Sequence, residues 1–449
     1  MAFVGFLDPF IDTHQEEIKM KKNVWSFLVV LLAAVFVGTT AVQAADISFG
    51  GDTIVRAEYV DKDEDLNAAD WQVGQRIRLN TTVKSAGGVS TFTQLDAVQA
   101  WGSDVGPGVD THGDHGSNAV GVHQANVSMP NFFGTGWNAK IGRQEIVFDG
   151  HRIFGHTGWN LNAVTHDAAV FVNPGMDLTY ALSWMAEANE ANTAEDKLAH
   201  VFRKGLSLAG GKTALYWVTV DDSSPSDAVL WHTAGIRQVG KAAGYDYRVE
   251  GYYQFGEVAS PIAVGTLSTS QAADVEAYHF GGRIGKKVGD TKVTLWYEHN
   301  SGTDDAQANA NEWGSFDTLY DTGHKFHGLI DKVAPGSKVD YLGLQDLAIK
   351  IVKPLAPGWT LKADLHQFWT AVDPGDNLTA WTGNTNESSK DDSDLGHELD
   401  LTLANKYSAN TSVQFGYSYF DGTTTWLHMD SDTDNTESHW AYAQVKFAY

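Results

Sequence analysis

Apolar and polar residues alternate one by one over most of this chain beyond Ala44, and helical spacing is nearly absent there. From Tyr245 to Phe255, the positions Tyr245, Tyr247, Val249, Tyr253 and Phe255 oppose Asp246, Arg248, Glu250 and Gln254. From Leu395 to Leu403, Leu395, Leu399, Leu401 and Leu403 oppose Glu398 and Asp400. Ser412 to Tyr419 sets Val413, Phe415, Tyr417 and Tyr419 against Ser412, Gln414 and Ser418. Thr360 to Trp369 sets Leu361, Leu365 and Trp369 against Lys362, Asp364 and His366. Successive side chains of a strand point to opposite faces, so each stretch predicts a strand with one apolar and one polar face. About eighteen such strands can be marked along the chain, the first near 47–59, the fifth near 136–147 and the last near 438–449.

The connections carry a second pattern. Each odd-numbered strand is followed by a polar segment, from Asp222 to Ala228 at its shortest to Gly302 to Asp340 at its longest. Each even-numbered strand is followed by a tight turn, such as Asn173-Pro174-Gly175, Ala209-Gly210-Gly211 or Val288-Gly289-Asp290. A soluble β-rich secreted protein has no reason to alternate in this way. A membrane barrel does, with short periplasmic turns and long outer loops, and closure removes the sheet edges that hydrocarbon cannot satisfy. The predicted fold is therefore all-β: one transmembrane, antiparallel, up-and-down β-barrel over residues 45–449. In the last stretch Ala441, Ala443, Val445, Phe447 and Tyr449 share a face, with Gln444 and Lys446 opposite. A terminal strand ending on an aromatic residue resembles the sorting signal of bacterial outer-membrane barrels, so Trp440 to Tyr449 is expected to engage the barrel-assembly machinery.

Ahead of the strands, Met20-Lys21-Lys22 is positive, Val24 to Gly38 is apolar, and Val42-Gln43-Ala44 offers small residues for cleavage. Together they predict a cleavable signal peptide over 20–44. Residues 1–19 carry Asp8, Asp12, Glu16 and Glu17, out of keeping with such a signal, and read as an upstream extension with Met20 as the start. Beyond Ala44 no apolar run is long enough for a membrane helix. The expected location is the outer membrane, with lipid and lipopolysaccharide as surroundings. A net charge of -25 leaves nothing to neutralise a phosphate backbone, which excludes nucleic acid as a partner. The absence of cysteine excludes disulfides and Cys-based metal or redox centres.

Most arginines fall inside predicted strands: Arg76, Arg78, Arg143, Arg203, Arg237, Arg248 and Arg283. Facing lipid at mid-membrane, each would cost ~2–4 kcal/mol, so they are expected to point into the lumen. There they would select anionic solutes, or pair with carboxylates such as Glu145, Glu250 and Glu276 and stiffen the wall. Parity supports this for Arg248, and for Arg76 and Arg78, which oppose Ile77 and Leu79. The same alternation turns Arg143 and Glu145 inward and leaves Gln144 beside Ile146 and Phe148 on the lipid face, where a bulge or an aqueous rim must accommodate it.

Other chemistry is weakly marked. Asp61, Asp63 and Asp65, and later Asp430, Asp432 and Asp434, begin like calcium loops but lack the following glycine and the spaced glutamate, so solvated loop tips are expected. His112, Asp114 and His115 could ligate a metal, but they sit in a Gly-rich loop. No metal or cofactor is expected. Neither G-x-S-x-G nor H-E-x-x-H occurs, and no spacing marks a nucleophile with its base, so no catalytic residue is assigned.

Four segments resemble the alginate-export family of outer-membrane porins. The first is Gly142-Arg143-Gln144-Glu145 with Asp149-Gly150-His151-Arg152-Ile153 and Trp159. The second is Phe316-Asp317-Thr318-Leu319-Tyr320 through His324-Lys325 to Gly328 and Asp331. Gly343-Leu344-Gln345-Asp346-Leu347 and Leu395-Gly396-His397-Glu398-Leu399-Asp400 follow in the expected order. The resemblance implies a monomeric 18-stranded barrel whose arginine- and lysine-rich pore passes an anionic polysaccharide, with Arg76, Arg78, Arg143, Arg152, Arg203 and Arg248 lining the path. Where the family places an arginine before an aromatic-Asp pair, this chain reads Asn162-Ala163-Val164-Thr165-His166-Asp167. Three readings follow: a porin for hydrophilic, anionic solutes; an export channel for a polymer such as alginate; and a structural or adhesin barrel plugged by the segment from Gly302 to Asp340.

Overall fold

The structure, a computed structural model, describes residues 46–61, 70–101, 120–186, 197–222, 229–258, 263–264, 267–268, 272–304, 306–307, 310–336, 339, 341–374, 392–429 and 436–449. The predicted signal peptide and the extension before it lie outside these residues, as do Asp63, Asp65, His112, Asp114, His115, Asp430, Asp432 and Asp434.

Eighteen strands form the wall. They are β1 (Asp46–Asp61), β2 (Asp70–Lys84), β3 (Ser90–Ala100), β4 (Val120–Met129), β5 (Asn138–Gln144) and β6 (His166–Asn173). There follow β7 (Leu178–Ala186), β8 (Lys197–Leu208), β9 (Gly211–Asp222), β10 (Val229–Ala242), β11 (Tyr245–Val258) and β12 (Ala273–Val288). The last six are β13 (Thr291–Asn300), β14 (Leu344–Ala356), β15 (Trp359–Thr370), β16 (Asp394–Asn405), β17 (Thr411–Gly422) and β18 (Glu437–Ala448). Each pairs antiparallel with its neighbours in sequence, and β1 pairs with β18 from Asp52 opposite Ala448 to Asp61 opposite His439, which closes the cylinder. No helix among the described residues is long and apolar enough to cross a membrane; the strands do the crossing.

Alternation sorts the wall into two faces. Ile77, Leu79, Val249, Leu295, Ile349 and Phe415 are exposed on the outside, the surface that lipid covers in a barrel. Between them Arg76, Arg78, Arg248, Glu250, Glu298, Asp346, His366 and Asp400 are buried on the inside. Turns after even strands are mostly short, as at Ala243-Gly244 and Gly289-Asp290, but the β4–β5 connection runs from Pro130 to Trp137.

Two of the long connections turn inward. The first, residues 145–165, follows β5; the second, residues 301–343, follows β13. They touch at an isolated bridge between Phe154 and Tyr320. The second runs Glu312–Trp313 parallel to β12 and then packs Ile330, Val333 and Val339, all fully buried, against Leu344, Phe368, Leu395, Phe420 and Trp440 of the wall. A short helix, α1 (Thr424–Met429), adds Trp426 to that cluster. The inward segments thus bring backbone inside the barrel that the sheet's ladders do not pair, and its polar groups must find partners there.

Candidate functional site

Arg152, on the first inward segment, is the knot of the interior. Its guanidinium hydrogen-bonds Glu298 of β13 and lies 3.8 Å from Glu250 of β11 and 3.9 Å from Asp321 on the second segment. Its flat face covers the Phe326 ring at 3.5 Å. Arg248 reaches the same carboxylates, 3.1 Å from Glu298 and 3.3 Å from Glu250. Buried charges persist only when paired, and these pairs join wall, first segment and second segment at one point. Burial opposes the charge of Arg152, but Glu298, Glu250 and Asp321 outweigh it and raise its pKa. Asp321 goes the other way: burial pushes its carboxyl up to about 7.

Further anchors fix each segment. Arg56 and Arg76 donate to the carbonyls of Trp159 and Leu161, and Arg78 to that of Asn162. Arg78 also lies 3.6 Å from Asp96 and 3.5 Å from Glu145, which His123 meets at 3.0 Å. Deeper in the barrel, Arg203 holds Asp149 through Nε at 2.7 Å and Asp177, in the β6–β7 turn, at 2.9 Å. The Tyr216 hydroxyl donates to Asp149 as well. Burial raises Asp149, but these hydrogen bonds outweigh it and hold the carboxyl below its ordinary value. On the second segment, Glu398 of β16 accepts the backbone N–H groups of Leu329 at 2.6 Å and Ile330 at 2.9 Å.

Two expectations are corrected. Arg143 does not face the lumen. It shares the outer face with exposed Ile141, and its register partner Asp167 stands opposite Trp184, itself 47% exposed. Arg143 forms a bidentate pair with Asp167 at 2.9 and 2.7 Å. Gln144, expected outside, is buried and folds back, donating to the carbonyls of Lys140, Gly142 and Ala168. Parity counted from Ile146 and Phe148 fails because β5 ends at Gln144 rather than near 147; within the strand the unbroken register puts Ile141 and Arg143 on the outer face and Gln144 inside. Glu276 is the second correction: it lies on the exposed face of β12 with Tyr278 and Phe280, away from every lumen arginine.

Arg237 lies 3.5 Å from Glu250. For Arg283 no carboxylate among the described residues lies within pairing range. Arginine alone understates the cation set. Lys241, Lys287, Lys292, Lys350, Lys362 and Lys446 hold inward register positions toward the turn ends of β10, β12, β13, β14, β15 and β18. Of the lysines within the described strands, Lys197 alone stands at a loop end, beside Asp222 at 3.0 Å. The carboxylates are concentrated in the loop half: Glu58, Asp96, Asp222, Glu298, Asp346 and Glu398. Alternation in Thr291–Asn300, where Lys292, Trp296 and Glu298 oppose Val293, Leu295 and Tyr297, is the signal that marks two of these residues, Lys292 and Glu298.

The alginate export family matches residues 45–425 of the sequence. The chain belongs to that family. No curated protein matches it. Among solved structures, this alginate export barrel is similar to OccAB1 of Acinetobacter baumannii, with a TM-score of 0.56 at 12% identity over 89% of this chain and 96% of the other. It is similar to OccK5 (OpdH) of Pseudomonas aeruginosa, with a TM-score of 0.53 at 10% identity over 90% and 98%. The outer membrane protein OprD of Pseudomonas aeruginosa gives 0.52 at 13% identity over 89% and 94%. The family member therefore has the outer-membrane porin fold.

Proposed function

We propose that the protein is a passive outer-membrane channel for hydrophilic anionic solutes, with outward passage of an anionic polysaccharide as the narrower form of that function. The observation that carries this reading is the inward lysine set at the turn end, which gives the periplasmic half of the lumen an excess of positive charge that low-dielectric walls focus on passing ions. Arg203, Arg237 and Arg283 extend that surface toward the inward segments. Arg76, Arg78, Arg152 and Arg248, with Glu145 and Glu250, hold the segments in place. The barrel works as a monomer, and β18 carries the contact with the assembly machinery.

Planar-bilayer recordings across a salt gradient test this. The wild type is expected to show an anion-selective reversal potential, and Lys241→Glu with Lys287→Glu to shift it toward cations. An unchanged potential would sink the reading. A second reading is favoured by the burial of Ile330, Val333 and Val339: a barrel plugged by the second segment, serving a structural or adhesive role. That reading predicts no steady conductance from the folded protein.

A further inference from the structure

The connection between β4 and β5 is built unlike the tight turns at the same end of the barrel. It reads Pro130-Asn131-Phe132-Phe133-Gly134-Thr135-Gly136-Trp137, and Asn131, Phe133, Gly134 and Gly136 hold left-handed backbone angles, at φ +47°, +51°, +73° and +79°. Hydrogen bonds fix this shape. Gly136 N–H donates to the Asn131 side chain and Asn131 N–H to the Asn138 side chain, both at 2.9 Å, and Phe132 N–H reaches the Trp137 carbonyl at 2.6 Å. Glycine takes a left-handed angle freely, whereas a bulky residue is rarely found there. Here such a position carries Phe133, which is 88% exposed, more than any other large apolar residue among those described. The Phe132 ring, 4.3 Å away, leaves most of it bare.

The turn is continuous with the face that lipid covers. The Phe132 ring lies 6.0 Å from that of Phe171 on β6, Phe171 stacks on Tyr180 of β7 at 6.3 Å, and Tyr180 meets Phe202 of β8 at 4.6 Å. Phe171, Tyr180 and Phe202 are register partners in one row, and exposed Phe202 marks that row as outward. Lys204, two residues beyond Phe202 and so on the same face, donates to the carbonyl of exposed Met176 in the β6–β7 turn. Aromatic rings beside a lysine suit the polar boundary of a bilayer, where the rings sink and the ammonium meets phosphate. The wall is also low on this side. β5 has 7 residues and β6 has 8, and the Arg143–Asp167 pair ends their apolar outer face toward the loops. At a rise of about 3.3 Å per residue, Ala139 to Arg143 covers about 13 Å, well short of the ~25 Å apolar band of such barrels.

We propose that the β4–β5 turn is a foot that inserts Phe132 and Phe133 into the inner leaflet of the outer membrane, at the boundary between phospholipid headgroups and acyl chains. It adds apolar height below the wall where β5 and β6 fall short, and so fixes the level at which this side of the barrel sits. Rigidity serves that task, because a ring already held outward loses little freedom on entering lipid. The inference stands on the barrel fold and its lipid face, and is independent of what passes through the lumen.

The chain has no cysteine, so one introduced thiol reports one place. The full protein is reconstituted into vesicles of phosphatidylethanolamine and phosphatidylglycerol, with a bimane dye on Phe133→Cys or, as control, on Asp290→Cys at the exposed tip of the β12–β13 turn. The Phe133 dye should emit further to the blue, be quenched strongly by lipid bearing a nitroxide near its headgroup, and be quenched little by aqueous iodide. The Asp290 dye should show the reverse. Thr135→Cys places the dye on the same turn with both phenylalanines kept, and it decides where Phe133→Cys does not fold. Its quenching by lipid should fall to the Asp290 level when Phe132→Ser and Phe133→Ser are added, with the heat-shifted gel mobility of the barrel retained. Iodide quenching of the Phe133 or Thr135 dye equal to that of Asp290 would place the turn in water and overturn the proposal. Shielding from both quenchers would mean that protein covers the turn, a second copy or a periplasmic partner, and would overturn it as well. Lipid quenching that survives the two serine substitutions would show that the phenylalanines do not make the insertion.

Discussion

Asp321 shows how one buried carboxyl can tune the interior. Its pKa in the folded protein, about 7, lies above the ordinary carboxylate value because burial penalises the ion more than Arg152 rewards it. The folded state therefore keeps the proton over a range in which the unfolded chain has released it. Stability contributed by this group is greatest below the unfolded pKa, falls as pH rises from about 4 to about 7, and stays lost above that. Asp321→Asn should flatten this decline. The check is the apparent unfolding temperature in detergent at pH 5 and pH 8, where the wild type should lose more than the variant. His151 nearby is pushed down to about 4 by burial first and then by Lys325 and His156, so it is mostly neutral at both pH 5 and pH 8. Single residues were unequally legible. Arg248 could be placed from parity because β11 is regular through it. Arg143 could not, because parity counted from Ile146 and Phe148 starts past the end of β5, whereas the strand itself groups Arg143 with Ile141 on the outer face. Arg152 sits on a loop, where no period exists to give a direction, and its partners are brought in from β11, β13 and the second segment by closure alone.

At the scale of elements, the segment of residues 301–343 is the feature that most separates this barrel from an empty cylinder. Its aromatic content, with Trp313, Phe316 and Phe326, was readable as a candidate for inward folding. Its docking point was not, since Glu398 meets Leu329 and Ile330 across a long stretch of sequence. Gly328 makes that contact geometrically feasible: its φ is +81°, and a Cβ there would strike the Glu398 carboxylate. Gly328→Val should therefore lift the segment from β16 while leaving the wall intact. Single-channel conductance should rise, with the heat-shifted gel mobility of the folded barrel retained. Unchanged conductance would mean that the segment does not narrow the path. The β5 strand shows the converse limit: strand order and count follow from alternation and turn spacing, but strand ends depend on where the backbone leaves the pleat.

At the scale of the molecule, closure is the property most exposed to test. Pairing of β1 with β18 leaves no unpaired edge, so the folded protein should resist dodecyl sulfate and migrate ahead of the boiled form. Equal mobility of the two samples, with solubility in the absence of detergent, would contradict a membrane barrel. Closure also gives lasting direction to the charges that line it. Lysines gather at the turn end and carboxylates in the loop half, so an anion approaching from the turn side is drawn in before it is repelled, and one approaching from the loop side is repelled first. No passive pore can turn that difference into pumping, because at equal concentrations the two fluxes must cancel. What differs is capture, which long-range charge governs. The channel should therefore behave as a leaky rectifier, whose chloride current at a given voltage depends on which mouth faces the salt.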